Sequence, residues 1–234
     1  MDGGRDAASG SGERGGSDVE GASAWGGLGG DPAEAGGVGG KGGVNQKLFV
    51  SPHNDDAVMF GFFTLEREKP TVLTVFDSYV QPSRGFAECD VMTRRLEDRE
   101  AIRGVAGCAL QFGAVRDDER EPGIRPAVRA ALERWAGVEE VWLPAVEVGG
   151  HWQHNLVGEV GGEVFEAARQ HRYLTYTRDG KSTASTVPGV HRVPCTGAMI
   201  RKKLLALACY RTQIEIEGLG CWPHFVRSQE EYVL

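Results

Sequence analysis

The chain has 234 residues, a formal net charge of −7 and 34 glycines, 17 of which fall in residues 1–43. What remains is enough for one α/β domain with a full core, and an acidic chain with no basic stripe argues against nucleic-acid binding. Its five cysteines (Cys89, Cys108, Cys195, Cys209, Cys221) are far apart and form no C-x-x-C pair, which fits reduced core thiols rather than a disulfide frame or a zinc-thiolate site.

Taken in order, residues 1–45 form a Gly-rich segment expected to be disordered. Trp25 is almost its only large apolar side chain, and its first 43 residues carry seven acids against three bases. Such a stretch cannot bury enough apolar surface to offset its ordering entropy. It lacks a secretory signal pattern, and no later run has the length of a membrane span. A cytoplasmic protein with no membrane partner is the expectation. From residue 46 onwards strands and helices alternate. Lys47 to Ser51 is a first strand, Asp56 to Glu66 a helix, and Thr71 to Phe76 a β-branched second strand. A loop over 78–89 carries Tyr79 and Phe86. A charged helix from Asp90 to Val105, a strand from Ala109 to Val115, a helix from Ile124 to Trp135 and a strand from Val138 to Pro144 follow. The pattern then predicts a helix from about Asn155 to Gln170, short strands at Tyr173–Tyr176 and Val190–Val193, and a last helix from Lys202 to Tyr210. Strands separated by helices pair in parallel through right-handed crossovers. The expected fold class is therefore α/β, a three-layer Rossmann-like sandwich with a mostly parallel central sheet, over a single domain at 46–234.

Ligands of such sheets sit beyond the carboxyl ends of the strands. There the sequence places Ser51-Pro52-His53-Asn54-Asp55-Asp56 after the first strand, Asp77 after the second, and His151-Trp152-Gln153-His154 after the fourth. His53 and Asp56, three apart on a turn into a helix, can point to one side, with Asp55 projecting elsewhere, towards a bound water. Two protein ligands are too few for a catalytic zinc. The His-x-x-His element supplies a third and a spare imidazole. The plain alternative is that Asp55 and Asp56 only cap the helix and satisfy its free amides. The adjoining His53 and the concentration of three of six histidines at two strand ends favour a metal site.

On these residues the chain resembles the PIG-L/LmbE-like zinc-dependent de-N-acetylases, which open on a strand and a His-Pro-Asp-Asp signature and finish with a later His-x-x-His-type element. Asn54 stands where that signature has proline, and Ala57 where it has glutamate. Arg94-Arg95-Leu96-Glu97-Asp98 with Ala101 and Gly107 is similar to the family's Arg-x-x-Glu helix. Lys203 to Leu207 followed by Tyr210-Arg211-Thr212-Gln213 is similar to its late Tyr-x-x-Gln helix end, and Glu230-Glu231-Tyr232 to its terminal Glu-aromatic element. The resemblance covers about residues 46–234. It implies zinc (Zn2+) held by His53, Asp56 and His154, Asp55 as general base, His151 as the imidazole that stabilises charge or protonates the leaving amine, and Arg94 as the substrate contact. The register leaves Arg95 as the alternative for that contact, and an Arg94–Asp98 helix salt bridge as the structural reading. The implied activity is hydrolysis of an N-acetyl amide on a small-molecule N-acetylglucosamine-type sugar or glycoconjugate; a homo-oligomer is left open.

Three other readings compete. The same ligands could serve another N-acyl or thiol-conjugate amide. A non-catalytic binder could retain the fold, although it has no need of a spare carboxylate beside a metal. A nucleotide-binding doubly wound protein would need a Gly-rich phosphate loop where Pro52-His53-Asn54-Asp55 stands. Substrate selection is expected from the 78–89 loop and from Arg178 to Thr183, or these are ordinary solvated loops. Trp152 either walls the pocket or packs its own loop.

Overall fold

The computed structural model describes residues 46–77, 90–116, 123–175, 189–213 and 231–233. The Gly-rich segment, the 78–89 loop, Tyr176, the Arg178–Thr183 segment and Glu230 lie outside them, as do the side chains of residues 231–233.

The described residues build a seven-stranded sheet in the order β3-β2-β1-β4-β5-β7-β6. Strands β1 (Lys47–Ser51), β2 (Thr71–Phe76), β3 (Leu110–Val115), β4 (Glu140–Pro144) and β5 (Arg169–Tyr173) are parallel to one another. Strand β7 (Glu231–Val233) runs antiparallel between β5 and β6 (Val190–Arg192). The β1 and β2 strands are buried on both faces, as expected of parallel strands covered by helices. Alternate residues divide between two cores. Phe49, Val72, Leu110, Trp142 and Tyr173 pack with α1 (Asp56–Glu68), the π-helical continuation (Arg99–Ala106) of α2 (Asp90–Asp98), and α5 (Gly197–Leu207). Leu48, Val50, Leu73, Val75, Val141 and Leu143 pack with α3 (Ile124–Glu133) and α4 (Trp152–Val164). The expected three-layer α/β sandwich is thus the observed one.

The strand expected at Tyr173–Tyr176 lies instead at Arg169–Tyr173, and the larger departures from the sequence pattern have physical reasons. The charged helix changes winding at Arg99 and continues as a π-helix, which keeps Glu97, Asp98, Ala101, Ile102 and Ala106 buried, to the left-handed Gly107 (φ 68°). Helix α4 starts at Trp152 and ends at Val164, so His154 lies in its first turn and residues 169–173 form β5. The strand escapes the hydrophobic pattern because polar bonds hold its side chains: Gln170 donates to the Gly162 and Phe165 carbonyls, His171 meets Glu140 at 2.8 Å, and Arg172 donates to the Gly158 carbonyl at 2.7 Å. Helix α5 begins at Gly197 rather than Lys202, since Thr196 caps it by accepting from the Met199 amide at 3.2 Å.

Candidate metal centre

In this strand order the chain builds outward from β1 through β2 to β3, then returns to lay β4 on the other side of β1. The carboxyl ends of β1 and β4 flank the crevice where the winding reverses. Two short segments meet there: the 52–55 turn with the start of α1, and the start of α4.

The turn is tied down from both ends. The Ser51 hydroxyl donates to the His53 carbonyl at 2.7 Å and accepts from the Ala57 amide at 3.0 Å. The Phe76 amide donates to the Pro52 carbonyl at 2.8 Å, fixing the turn to β2. Asp55 stands at the N-cap of α1, yet its side chain makes no cap hydrogen bond. The capping alternative therefore fails for Asp55, whose carboxyl stays available. Asp56 turns back, its Oδ2 accepting from the His53 amide at 2.8 Å. Beneath it, the Tyr173 hydroxyl donates to the Val50 carbonyl at 2.8 Å.

Three ligand atoms converge. His53 Nδ1 lies 3.1 Å from Asp56 Oδ2 and 3.2 Å from His154 Nε2, and His154 Nε2 lies 3.0 Å from Asp56 Oδ2. A tetrahedral zinc with ligands at roughly 2.0–2.1 Å spaces them about 3.3 Å apart, so the triangle has the size such an ion needs. His53, Asp56 and His154 are the group among the described residues that could hold a metal. The donor chemistry agrees. His53 Nε2 meets the Gln153 amide oxygen at 2.9 Å. With a metal among the three atoms, that acceptor would favour the ring proton on Nε2 and leave the Nδ1 lone pair for the ion. Asp56 and His154 are 2 % and 0 % exposed, and burial alone would raise the Asp56 carboxyl, but the His154 and His53 rings hold it far below the usual carboxylate range. Phe76 stacks on the His53 ring with centroids 5.5 Å apart, and Phe60 meets His154 edge-on at 6.3 Å.

The other expected residues surround this triangle. His151 caps α4, its ring centroid 5.3 Å from that of His53 and 4.9 Å from that of His154. Burial pushes the Asp55 carboxyl up and the Asp56 charge adds to this, while Arg94 and His53 oppose it. Arg95 is committed elsewhere: it grips Asp77 with Nε at 2.8 Å and Nη2 at 2.7 Å. Asp77 in turn accepts from the Ala114 amide at 2.7 Å. Ala114 holds a left-handed backbone (φ 58°), strained for a residue with a Cβ. Arg94 does not pair with Asp98 as a helix salt bridge. Its guanidinium meets the Gln213 amide oxygen at 3.0 Å, in the amide orientation that satisfies both groups.

Two residues that the sequence left out belong to the site. Gln153 meets the outer nitrogen of His53, and nothing in His-Trp-Gln-His marks it as more than a spacer. Asn54, read as a spacer where the resembled signature has proline, is 2 % exposed and donates from Nδ2 to Asp98 at 3.3 Å.

No protein-family model and no curated protein matches the chain at a significant level. Solved structures do match. A deacetylase of the teicoplanin biosynthesis pathway superposes with a TM-score of 0.59 at 17% identity, over 80% of this chain and 95% of that one. The N,N'-diacetylchitobiose deacetylase of Pyrococcus horikoshii gives 0.52 at 16%, over 77% and 75%. The chain has the fold of the PIG-L/LmbE-like deacetylases. At these identities the likeness is one of fold, and the fold also carries other chemistry. GalB, the 4-carboxy-2-hydroxymuconate hydratase of Pseudomonas putida KT2440, gives 0.55 at 14% identity, over 77% of this chain and 82% of that one.

Proposed function

We propose that the chain is a zinc-dependent hydrolase that removes the acetyl group from an N-acetyl amide, on an N-acetylglucosamine-type sugar or glycoconjugate. The observation that carries this reading is the His53–Asp56–His154 triangle at the switch point, two of its members buried, with an uncommitted carboxyl (Asp55) and a third imidazole (His151) beside it. Fold neighbours that deacetylate sugar-related compounds support it. Zinc bound there supplies Lewis acidity, lowering the pKa of a bound water to about 7 and polarising the amide carbonyl.

The chain's own residues do the rest. Asp55, in a buried setting that disfavours its charge, is the base that takes the proton of the attacking water. The amine must leave protonated, because an amide anion is a very poor leaving group. His151, at the mouth of α4, delivers that proton. Arg94, whose charge opposes the rise of the Asp55 carboxyl, holds the substrate, with Gln213 on its guanidinium. Phe76 and Phe60 keep the imidazoles dry, which strengthens their interactions with charge.

The deciding experiment pairs metal analysis with acetate release from a panel of N-acetylated sugars and larger N-acyl amides. Asp55→Asn should keep zinc and lose about 10²–10⁴-fold in turnover; near-normal rates in the metal-replete variant would remove Asp55 as base. Because GalB, with a similar fold, is a hydratase, acetate release, and not substrate consumption alone, is the readout that separates amide cleavage from hydration.

A further inference from the structure

Asp98 is 1 % exposed, lies outside the metal triangle and makes three polar contacts. Its Oδ2 accepts from Asn54 Nδ2 at 3.3 Å and from the Thr74 hydroxyl at 2.8 Å, and its Oδ1 accepts from the Tyr210 hydroxyl at 2.7 Å. The donors come from the metal turn, from β2, and from the residue three beyond α5. Tyr210 is fully buried. The residues after it continue the attachment to α2: the Thr212 amide and hydroxyl bind Glu97 at 2.9 and 2.7 Å, and Gln213 meets Arg94. Three successive polar links thus dock residues 210–213 on α2, and the innermost one reaches the residue between His53 and Asp55.

We propose that Asp98 is the positioning residue of the metal turn, clamping Asn54, and through it His53 and Asp55, to strand β2 and to Tyr210. The Phe76 amide holds the turn at the Pro52 carbonyl, and the Asn54 side chain adds a second tie between His53 and Asp55. Burial pushes the Asp98 carboxyl up to about 8 against the donors that lower it. Keeping an acid there costs stability that an apolar residue of like volume would not, and the return on that cost is a fixed metal turn. The inference rests on the metal site proposed above.

The test measures zinc affinity of the full-length metal-free chain by competition with a chelating indicator, a readout that needs no substrate. Asn54→Ala and Asp98→Asn should each weaken zinc by about 10–100-fold, the usual scale for partners behind the ligands. Their double variant should lose no more than the larger single loss, since both break one clamp. Tyr210→Phe keeps the ring and removes only the hydroxyl, and should weaken zinc by about threefold or more. Val128→Ala, in the core beneath α3 on the other face, should lower the melting temperature and leave zinc affinity unchanged. Wild-type affinity in the Asn54 and Asp98 single variants, or a double variant that loses the product of the two, would overturn the clamp. If the wild-type chain binds no zinc, the metal site itself is wrong and the clamp falls with it. If wild type binds zinc and releases acetate while the variants match it, the positioning role alone is lost.

Discussion

Asp56 Oδ2 accepts from one backbone amide and stands within 3.1 Å of two imidazole nitrogens, while those nitrogens lie 3.2 Å from each other. Either a proton on the rings or a cation among the three atoms offsets the charge of Asp56. Gln153 gives His53 Nε2 an acceptor at 2.9 Å, which favours the tautomer that a metal on Nδ1 would need. Gln153→Leu frees the ring to choose the other tautomer. Its zinc affinity should fall about 10–100-fold while the fold survives, and calorimetric titration of the metal-free variant reads this directly. A second residue-scale expectation concerns Asp98. Burial pushes the Asp98 carboxyl up to about 8 in the folded chain, well above its ordinary 3.8. Between those limits the folded state binds more protons, so stability falls as pH rises, by up to ~1.4 kcal/mol per pH unit. Asp55 and Asp77 are raised by burial too and tilt the curve the same way. Urea unfolding of the metal-free chain at several pH values should show a shallower decline for Asp98→Asn, and an unchanged slope would refute the assignment. His53, Asp55, Asp56 and His154 were legible because each sits in a short motif at a strand end. Gln153, Asn54 and Asp98 were not, since their partners lie 24 to 112 residues away and no local spacing announces them.

Helix α4 carries His154 in its first turn, so the placement of that helix on β4 decides whether the third ligand arrives. Gly158, one turn further on, lies directly over the strand: a Cβ there would stand 2.6 Å from the Pro144 carbonyl oxygen. Arg172 locks the same contact by donating to the Gly158 carbonyl. Gly158→Ala must lift α4 away from β4. Overpacking of this kind costs about 1–3 kcal/mol, and here the shift also displaces His154. The variant should melt lower and bind zinc more weakly, and a normal zinc affinity would mean that α4 is located by other contacts. The same pairing explains why β5 was hidden in the sequence. Arg169-Gln170-His171-Arg172 has no hydrophobic alternation, and its polar side chains are satisfied by Glu140, by α4 carbonyls and by the 165 turn. A helix run on to Gln170 was the natural reading of a polar stretch after Val164. The apolar strands β1, β2 and β4 had no such ambiguity, because both of their faces meet helices.

At the scale of the whole molecule the site is a crosslink. His53 and Asp56 follow the first strand, His154 follows the fourth, and about 100 residues of chain close the loop between them. The alternation of strands and helices made the parallel order legible, and the order β3-β2-β1-β4-β5 puts the reversal of winding between the two ligand-bearing strands. A metal at that reversal holds together the two halves of the sheet, the β1–β3 side and the β4–β5 side, and a ligand that binds only the folded state stabilises it by mass action. With free zinc at about 100 times its dissociation constant the gain is about 2.7 kcal/mol. For a chain of this size each kcal/mol raises the melting temperature by roughly 2–4 °C, so the metal-loaded protein should melt about 5–10 °C above the chelated one. Differential scanning calorimetry with and without zinc checks it. His154→Ala removes the only ligand from the second half, so its melting temperature should no longer respond to zinc, whereas Asp55→Asn, which leaves all three ligands in place, should respond as wild type does. A zinc response that survived in His154→Ala would place the ion elsewhere in the chain and separate it from the switch point altogether.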